Sequence, residues 1–222
     1  MNTDLVTYYK DRANEYEKIY ALPERQEDLA AATELLQELF QGKEVFEIAC
    51  GTGYWTERIA QTARSIFATD INQNVVDLAK NKKYPGEKVV FEVADLFGYR
   101  PERKYESLFA GFIWSHILLQ DLDRFVRTAA DFVAPGGMLV LMDNNYVPES
   151  NRPITHTDEM GNTYQTRKLE DGSTHLVLKN FSTEDLLREK WKNAAAGIEY
   201  INLQYYWILV CRIPYFRSSP TS

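Results

Sequence analysis

The hydrophobic and polar positions of the chain follow two alternating periods between residues 29 and 143. Short apolar runs rich in β-branched and aromatic residues are typical of strands, and apolar residues that recur every three or four positions are typical of amphipathic helices. The apolar runs lie at residues 44–49, 65–70, 89–94, 107–114 and 138–143. Helical patterns lie at residues 29–40, 54–63, 72–83 and 122–133. Strands that alternate with helices of this length form βαβ units, which predicts a doubly wound α/β fold with a mostly parallel sheet.

The rhythm changes after residue 143, where a long polar segment rich in proline and glycine begins. Two alternating runs, at 163–169 and 174–179, flank an Asp-Gly pair, which predicts an inserted β-hairpin after the fifth strand. Ser182 is the expected N-cap of a following helix. The pattern over residues 198–213 predicts two strands joined by a short connection. Such a connection can join antiparallel strands but not parallel ones.

These patterns together predict a Rossmann-like sheet of seven strands, mostly parallel, with an antiparallel last strand. Helical composition over residues 4–20 adds an N-terminal helical lid. We expect a single domain over residues 1–222, with a helical cap at 1–42 and an inserted lid at 144–181.

Composition and charge restrict the function. The chain has 222 residues and a formal net charge of −7, which argues against a protein that neutralises nucleic-acid phosphates. Cys50 and Cys211 are the two cysteines, and their separation suggests neither a disulfide framework nor a zinc site, so no metal is expected. The N-terminus lacks an apolar signal region, and no run approaches the length of a membrane span. We therefore expect a cytoplasmic protein that binds neither nucleic acid nor membrane.

The first strand ends in a turn that contains Gly51 and Gly53, where the backbone can approach a ligand closely. A dinucleotide site favours a third glycine, but this chain has Thr56 there. Glu47 lies within the first strand, and Asp70 ends the second, where an acid can bind ribose hydroxyls. An acid beside the turn suits a positive charge rather than a phosphate, so the pattern predicts a cationic nucleoside as ligand.

Four motifs in this order resemble those of the class I S-adenosylmethionine-dependent methyltransferases, namely EIACGTG, ATDIN, VADL and APGG. The resemblance implies S-adenosylmethionine as cofactor and S-adenosylhomocysteine as product. It also implies cofactor contacts for Glu47, Ala49, Gly51, Gly53, Asp70, Ile71, Asp95 and Leu96. Family members often have Asp and Gly where this chain has Glu47 and Ala49, and both changes are conservative.

The resemblance also places the N-terminal helix over the site, as in small-molecule members of the family. Tyr8, Tyr9 and Arg12 then become candidate substrate contacts, and Tyr16 a candidate cofactor contact, although aromatic residues on a helix are often packing residues. Trp114, at the end of the fourth strand, is a further candidate cofactor contact, with a core role as the alternative.

His116 is the candidate base or substrate-orienting group, because imidazole can take up a proton near neutral pH. A buried histidine that merely closes the strand end is the alternative. Asn144 and Tyr146 follow the fifth strand and could line the acceptor pocket, or could equally cap a loop.

The acceptor is expected to be a small molecule, methylated on oxygen, nitrogen or carbon, and the protein a monomer or homodimer. The segment FIWSHI replaces the proline-rich signature of nucleobase and glutamine methyltransferases, and the paired glutamates of arginine methyltransferases are absent. Two other functions stay open from the residues alone. They are a non-catalytic module that binds the cofactor and, with less support, a nicotinamide-dependent reductase.

Overall fold

The computed structural model describes residues 16–169 and 172–215. Within them, one sheet has seven strands in the order β3-β2-β1-β4-β5-β10-β9, and a second sheet has three strands in the order β6-β7-β8. The strands of the large sheet are β1 (Glu44–Ile48), β2 (Ser65–Asp70), β3 (Val89–Val93), β4 (Tyr105–Gly111), β5 (Val133–Asn144), β9 (Gly197–Asn202) and β10 (Tyr206–Arg212). Strands β1 to β5 pair in parallel, whereas β10 runs antiparallel to both β5 and β9. The predicted doubly wound sheet with an antiparallel last strand is therefore confirmed.

Helices cover both faces of the large sheet. They are α1 (Gln26–Leu39), α2 (Tyr54–Ile59), α3 (Gln73–Lys80), α4 (Leu122–Phe132) and α5 (Glu184–Trp191). In α1 the buried side chains of Leu29, Ala32 and Leu36 recur at helical spacing and face the sheet. Two clusters of buried apolar residues result, one on each side of the sheet, and the carboxyl ends of β1, β2, β4 and β5 emerge between them.

The N-terminal cap is described only in part. Residues 16–21 form a 3₁₀ helix, and a short 3₁₀ turn at Pro23–Arg25 leads into α1. The predicted N-terminal helix over residues 4–20 otherwise lies outside the described residues. The predicted contacts Tyr8, Tyr9 and Arg12 lie there too, as does the side chain of Tyr16.

The insertion after β5 is larger than the predicted hairpin. It forms a three-stranded antiparallel sheet from β6 (His156–Thr157), β7 (Thr163–Lys168) and β8 (Thr174–Leu178). A two-residue strand has too short an apolar pattern to be recognised from the sequence. The predicted Asp-Gly turn falls at residues 170–172, of which only Gly172 is described.

Three predicted boundaries were wrong. Strand β4 ends at Gly111, so Trp114 and His116 lie in a 3₁₀ turn rather than at a strand end. Strand β5 begins at Val133, so the predicted APGG turn forms an irregular start to the strand. The N-cap of α5 is Thr183, whose side chain accepts from the backbone N–H of Leu186, because Ser182 instead accepts a hydrogen bond from the Trp114 indole.

None of the helices in residues 16–169 and 172–215 is both long enough and apolar enough to cross a membrane.

Candidate functional site

The turn between β1 and α2 is held in a left-handed backbone conformation at three alternate positions. Ala49, Gly51 and Gly53 have φ angles of 55°, 54° and 78°. At Gly53 a Cβ atom would lie 2.6 Å from the Tyr84 hydroxyl and 3.0 Å from the Ala79 Cβ, so only glycine fits. Ala49 adopts the same conformation with a side chain, which costs on the order of 1 kcal/mol. The turn therefore brings backbone, rather than side chains, to the carboxyl edge of the sheet.

Asp70 ties the end of β2 to this turn. One carboxylate oxygen accepts from the backbone N–H of Gly51 at 3.0 Å, and the other accepts from that of Asn72 at 2.9 Å. Burial raises the pKa of Asp70, and these backbone N–H groups oppose the rise. The predicted ribose-binding acid and the predicted glycine turn thus meet at one place.

Glu47 is buried within β1, with 2% of its surface exposed. Among the described residues its Oε2 atom has no hydrogen-bond partner. Burial raises the pKa of Glu47 to about 8, with a smaller contribution from the nearby charge of Asp70. A buried acid of this kind is suited to a cationic ligand, because the cation would replace the proton and compensate the charge of the carboxylate.

This pKa predicts how stability depends on pH. The folded protein keeps the Glu47 proton up to about pH 8, whereas an unperturbed glutamate releases it near 4.5. The Glu47 contribution to the free energy of unfolding is therefore fully present below the lower pKa and falls as pH rises through this window.

We expect Glu47→Gln to remove that dependence. The stability of the variant relative to wild type should rise by about 2 kcal/mol between about pH 5.5 and about pH 7.5. Urea unfolding at the two pH values measures the difference. Glu34→Gln, on the exposed face of α1, is the matched control and should show no such change. Parallel pH profiles for Glu47→Gln and wild type would contradict the assignment.

A small cavity lies beside Glu47 at the carboxyl edge of the sheet. Its volume is about 10 Å³, which is room for one water molecule. The lining residues come from the 3₁₀ helix, the glycine turn and the end of β4, and they are Tyr20, Glu47, Ala49, Cys50, Thr52, Tyr54, Trp55, Phe109, Gly111 and Phe112. Phe112, like Ala49, has a positive φ angle, of 60°. Two non-glycine residues in this sparsely populated conformation therefore line the same cavity, as is common at functional sites.

The 3₁₀ helix closes over the cavity. Tyr20 stacks on Tyr54 with 3.7 Å between ring centroids. Glu17 accepts from the Thr52 hydroxyl at 2.7 Å and pairs with Lys82 at 2.5 Å. These contacts join the cap to the glycine turn and to the end of α3.

Among the described residues, the other four candidate cofactor contacts form no hydrogen bond with the glycine turn. Ile71 is half-buried just after β2, and Asp95 is exposed, accepting from the backbone N–H of Phe97 at 3.0 Å. Leu96 and Trp114 are buried in the core on the α4 side of the sheet. Trp114 packs edge-on against Phe125, because the chain leaves the sheet before it reaches the indole. The cofactor contacts of all four residues stay predictions.

His116 is buried below β8. Its Nδ1 atom lies 2.6 Å from the backbone carbonyl oxygen of Leu178. A carbonyl oxygen only accepts, so Nδ1 carries the proton, and in the neutral ring Nε2 is then the basic nitrogen. The small sheet thereby fixes the tautomer that a general base requires.

A buried ion pair joins the small sheet to the large one. The Lys179 ammonium, directly after β8, donates to Asp143 at 2.9 Å, to the Ser115 hydroxyl at 2.6 Å and to the Asn144 side-chain oxygen at 2.9 Å. Asp143 also accepts from the backbone N–H groups of Ser115 and Asn144. Asn180 adds a hydrogen bond from its N–H to the Ser115 carbonyl. The insertion is therefore anchored beside His116.

Of the two candidate acceptor contacts, Asn144 belongs to this network and is buried. Tyr146 is exposed at 43% and packs edge-on against Phe181, just after the Lys179 segment. The structure thus brings Asn144 close to the turn that holds His116, and leaves Tyr146 at the rim.

Three polar residues of this region were missed from the sequence. Asp143 ends β5 as Asp70 ends β2, so its position was a usable signal. Lys179 and Arg25 gave no comparable signal, because a lysine in a hairpin and an arginine near a helix start are usually exposed. In residues 16–169 and 172–215, no three His, Cys, Asp or Glu side chains are arranged to hold a metal ion.

Comparison with known proteins agrees with this geometry. A family model described as a methyltransferase domain matches residues 45–137, which include the glycine turn, Asp70 and His116. This model covers less than half of the chain, and the match agrees with the resemblance of the four sequence motifs to class I S-adenosylmethionine-dependent methyltransferases.

Two kinds of relative are similar to the chain. Malonyl-[acyl-carrier protein] O-methyltransferase 1 of Ilyobacter polytropus is 28% identical over 168 residues, a match that covers 71% of this chain and 61% of that protein. The chain therefore spans less than two thirds of that relative's length. The solved structure of the DhpI-SAH complex superposes with a TM-score of 0.78 at 25% identity, covering 95% of this chain and 96% of that one. The DhpI-SAM-HEP complex has a TM-score of 0.79 at 24% identity, which supports the fold.

Proposed function

We propose that the protein transfers the methyl group of S-adenosylmethionine to a small-molecule acceptor. The observation on which this depends is the junction of Asp70 with the Gly51 backbone, next to the buried carboxylate of Glu47. This arrangement offers acceptors for ribose hydroxyls and, once an ammonium group has displaced the Glu47 proton, a negative charge for the methionine end. The fit also agrees with the methyltransferase domain match and with the complex named for DhpI.

The cofactor would be held by groups along the carboxyl edge of the sheet. Glu47 would face the ammonium group, the backbone of Ala49, Gly51 and Gly53 would lie against the methionine end, and Asp70 would bind the ribose. Ile71, Asp95 and Leu96 remain the proposed adenine contacts. When bound, the cofactor supplies an electrophilic methyl group.

The acceptor would lie on the β4 and β5 side of this edge. Asn144 and His116 border that side, and the segment at the end of the small sheet contacts both of them and would shield it from water. Exclusion of water and positioning are the main requirements for an in-line displacement in which charge is dispersed. Nε2 of His116 would take the proton of an acceptor hydroxyl or amine.

The family test is calorimetric titration with S-adenosylhomocysteine, with NADPH as the comparison ligand. We expect micromolar affinity for the former and no heat from the latter. Release of S-adenosylhomocysteine in the presence of a panel of small alcohols, acids and amines then measures turnover. Tight binding without turnover on any acceptor would favour a non-catalytic cofactor-binding module instead.

The role of His116 can be separated from cofactor binding. We expect His116→Gln to lower kcat by about 100-fold, because a positioned general base contributes at least that much. Affinity for S-adenosylhomocysteine should stay within about twofold of wild type, since the glycine turn and Asp70, rather than His116, are proposed to hold the cofactor. Steady-state kinetics and calorimetry measure the two quantities.

His156→Gln is the matched control, because His156 is exposed in the small sheet. It should leave kcat unchanged. An unaltered kcat in His116→Gln would instead return His116 to a purely structural role.

The protein is proposed to act in the cytoplasm, as a monomer or homodimer that binds neither nucleic acid nor membrane. Its two cysteines, Cys50 and Cys211, are both free and buried, which fits a reducing compartment. One domain over residues 1–222, with a cap at 1–42 and an insertion at 144–181, is the proposed organisation.

A further inference from the structure

Arg25 is a buried arginine at the start of α1. Only 2% of its surface is exposed. Its Nε and Nη1 atoms are buried and have no hydrogen-bond partner in the described part of the chain. Its Nη2 atom donates to the carbonyl oxygen of Ser150 at 3.4 Å and to the Ser150 hydroxyl at 3.1 Å. A buried guanidinium with so few contacts is costly, because burial disfavours a charge that is not paired.

No acid among residues 16–169 and 172–215 forms an ion pair with Arg25. Asp28 follows on the same helix face, but its carboxylate accepts from the backbone N–H of Tyr205 at 2.6 Å. The Arg25 guanidinium instead lies near two aromatic rings, with its Cζ atom 5.3 Å from the Tyr205 centroid and 5.8 Å from the Tyr206 centroid. These rings compensate only part of the cost of burial.

The position of Arg25 relates it to the proposed site. Tyr206 begins β10 and is paired with Asn144 at the end of β5, so both lie at the carboxyl edge of the sheet. The Tyr206 ring packs edge-on against Phe112, with 5.7 Å between centroids, and Phe112 lines the cavity beside Glu47. The Tyr206 ring therefore separates the guanidinium from the Phe112 side chain that lines the cavity. The guanidinium lies on the side of β5 and β10, whereas Asp70 lies on the side of β1 and β2.

Tyr206 supplies a second polar group at this place. Its hydroxyl is buried and has no well-oriented hydrogen-bond partner among the described residues. Burial raises the pKa of Tyr206, and the adjacent Arg25 opposes that rise, so the hydroxyl lies close to the guanidinium. The Tyr206 hydroxyl oxygen is thus a neutral acceptor beside the guanidinium, its own proton is left to donate, and no carboxylate of the described residues forms an ion pair with Arg25.

We propose that Arg25 binds an anionic group of the methyl acceptor, a carboxylate or a phosphoryl group, with the Tyr206 hydroxyl as a second donor. This inference rests on the proposed function and names the class of its substrate. The planar fork of arginine matches paired oxygens of either group. A neutral acceptor would leave the guanidinium unpaired, so the same residue selects against it. Entry of the anion requires displacement of the Ser150 loop, because Ser150 makes both direct hydrogen bonds with Arg25.

The test compares anion binding in Arg25→Met, Arg25→Lys and wild type by thermal unfolding. The probes are inorganic phosphate and malonate, with malonamide as the neutral match for malonate. Each is measured with and without saturating S-adenosylhomocysteine. Arg188→Met is the control, because Arg188 is an exposed arginine in α5.

Wild type and Arg188→Met should gain about 3 °C in Tm when one of the anions is present at about ten times its Kd. Malonamide should give no gain. Arg25→Met should lose the gain, and Arg25→Lys should bind about tenfold more weakly, because lysine keeps the charge but not the fork. If phosphate binds more tightly than malonate, the anionic group is a phosphoryl group, and if malonate binds more tightly, it is a carboxylate.

Equal gains in wild type and Arg25→Met would overturn the proposal, as would the lack of any gain in wild type. If Arg25→Met does not fold, the ratio of anion affinities in Arg25→Lys and wild type decides in the same way. S-adenosylhomocysteine affinity is read out separately in each variant. If wild type does not bind S-adenosylhomocysteine, the proposed function is contradicted. If wild type still responds to the anion through Arg25 in that case, the Arg25 site is supported independently of the proposed function.

Discussion

Replacing Asp70 with alanine is expected to weaken binding of S-adenosylhomocysteine about 1,000-fold. A carboxylate that accepts two hydrogen bonds from ribose hydroxyls contributes about 2 kcal/mol through each, and about 4 kcal/mol corresponds to this factor. The same oxygens contact the backbone N–H groups of Gly51 and Asn72, so alanine also removes a support of the glycine turn. Calorimetric titration measures the loss.

Two further variants separate the contributions. Asp70→Asn keeps the shape of the side chain and one acceptor oxygen, and it should show an intermediate loss. Asp77→Ala changes an exposed acid on α3, within the same βα unit, and should bind as wild type. An affinity for Asp70→Ala within about fivefold of wild type would remove Asp70 from the proposed ribose site.

Breaking the buried ion pair between Lys179 and Asp143 is expected to lower the free energy of unfolding more than breaking any of the exposed ion pairs. The two side chains are only 5% and 1% exposed. Lys179→Met leaves the Asp143 charge in the interior, and we expect the free energy of unfolding to fall by about 4 kcal/mol. This is a large fraction of the stability of a domain. Urea denaturation measures the difference.

The double variant Lys179→Met with Asp143→Asn should recover at least half of that loss, since it removes both charges. Recovery should be incomplete, because Asp143 also accepts from the Ser115 and Asn144 backbones. Lys190→Met, which breaks a more exposed pair with Asp123, should cost less than about 1 kcal/mol. A loss in Lys179→Met no greater than in Lys190→Met would mean that the network does not anchor the insertion.

The sequence predicted those parts of the fold and of the site that depend on a local pattern of residues. Alternating apolar runs predicted the sheet, and the position of an acid directly after a strand predicted that Asp70 would meet the glycine turn. Glu47 could be recognised because an acid within an apolar strand contradicts the pattern around it. These inferences depend on near neighbours in the chain, or on parallel strands whose ends share an edge.

The rest of the site depends on contacts between distant parts of the chain. Arg25 meets Ser150 across 125 positions, and Lys179 meets Asp143 across 36. Their burial follows from how the cap and the small sheet pack, which periodicity does not encode. Trp114 shows the opposite error, because the apolar run at residues 107–114 that placed it at a strand end continues three residues beyond Gly111, where the strand stops.

The protonated state of Glu47 has a consequence for how ligand binding is measured. At neutral pH the free protein holds a proton on this carboxyl, and an ammonium group placed beside it would expel that proton into the solvent. The buffer then takes up the proton, and its enthalpy of ionisation is added to the measured heat. Titrations in two buffers of different ionisation enthalpy should therefore give different apparent binding enthalpies and the same affinity, and their difference counts the protons released.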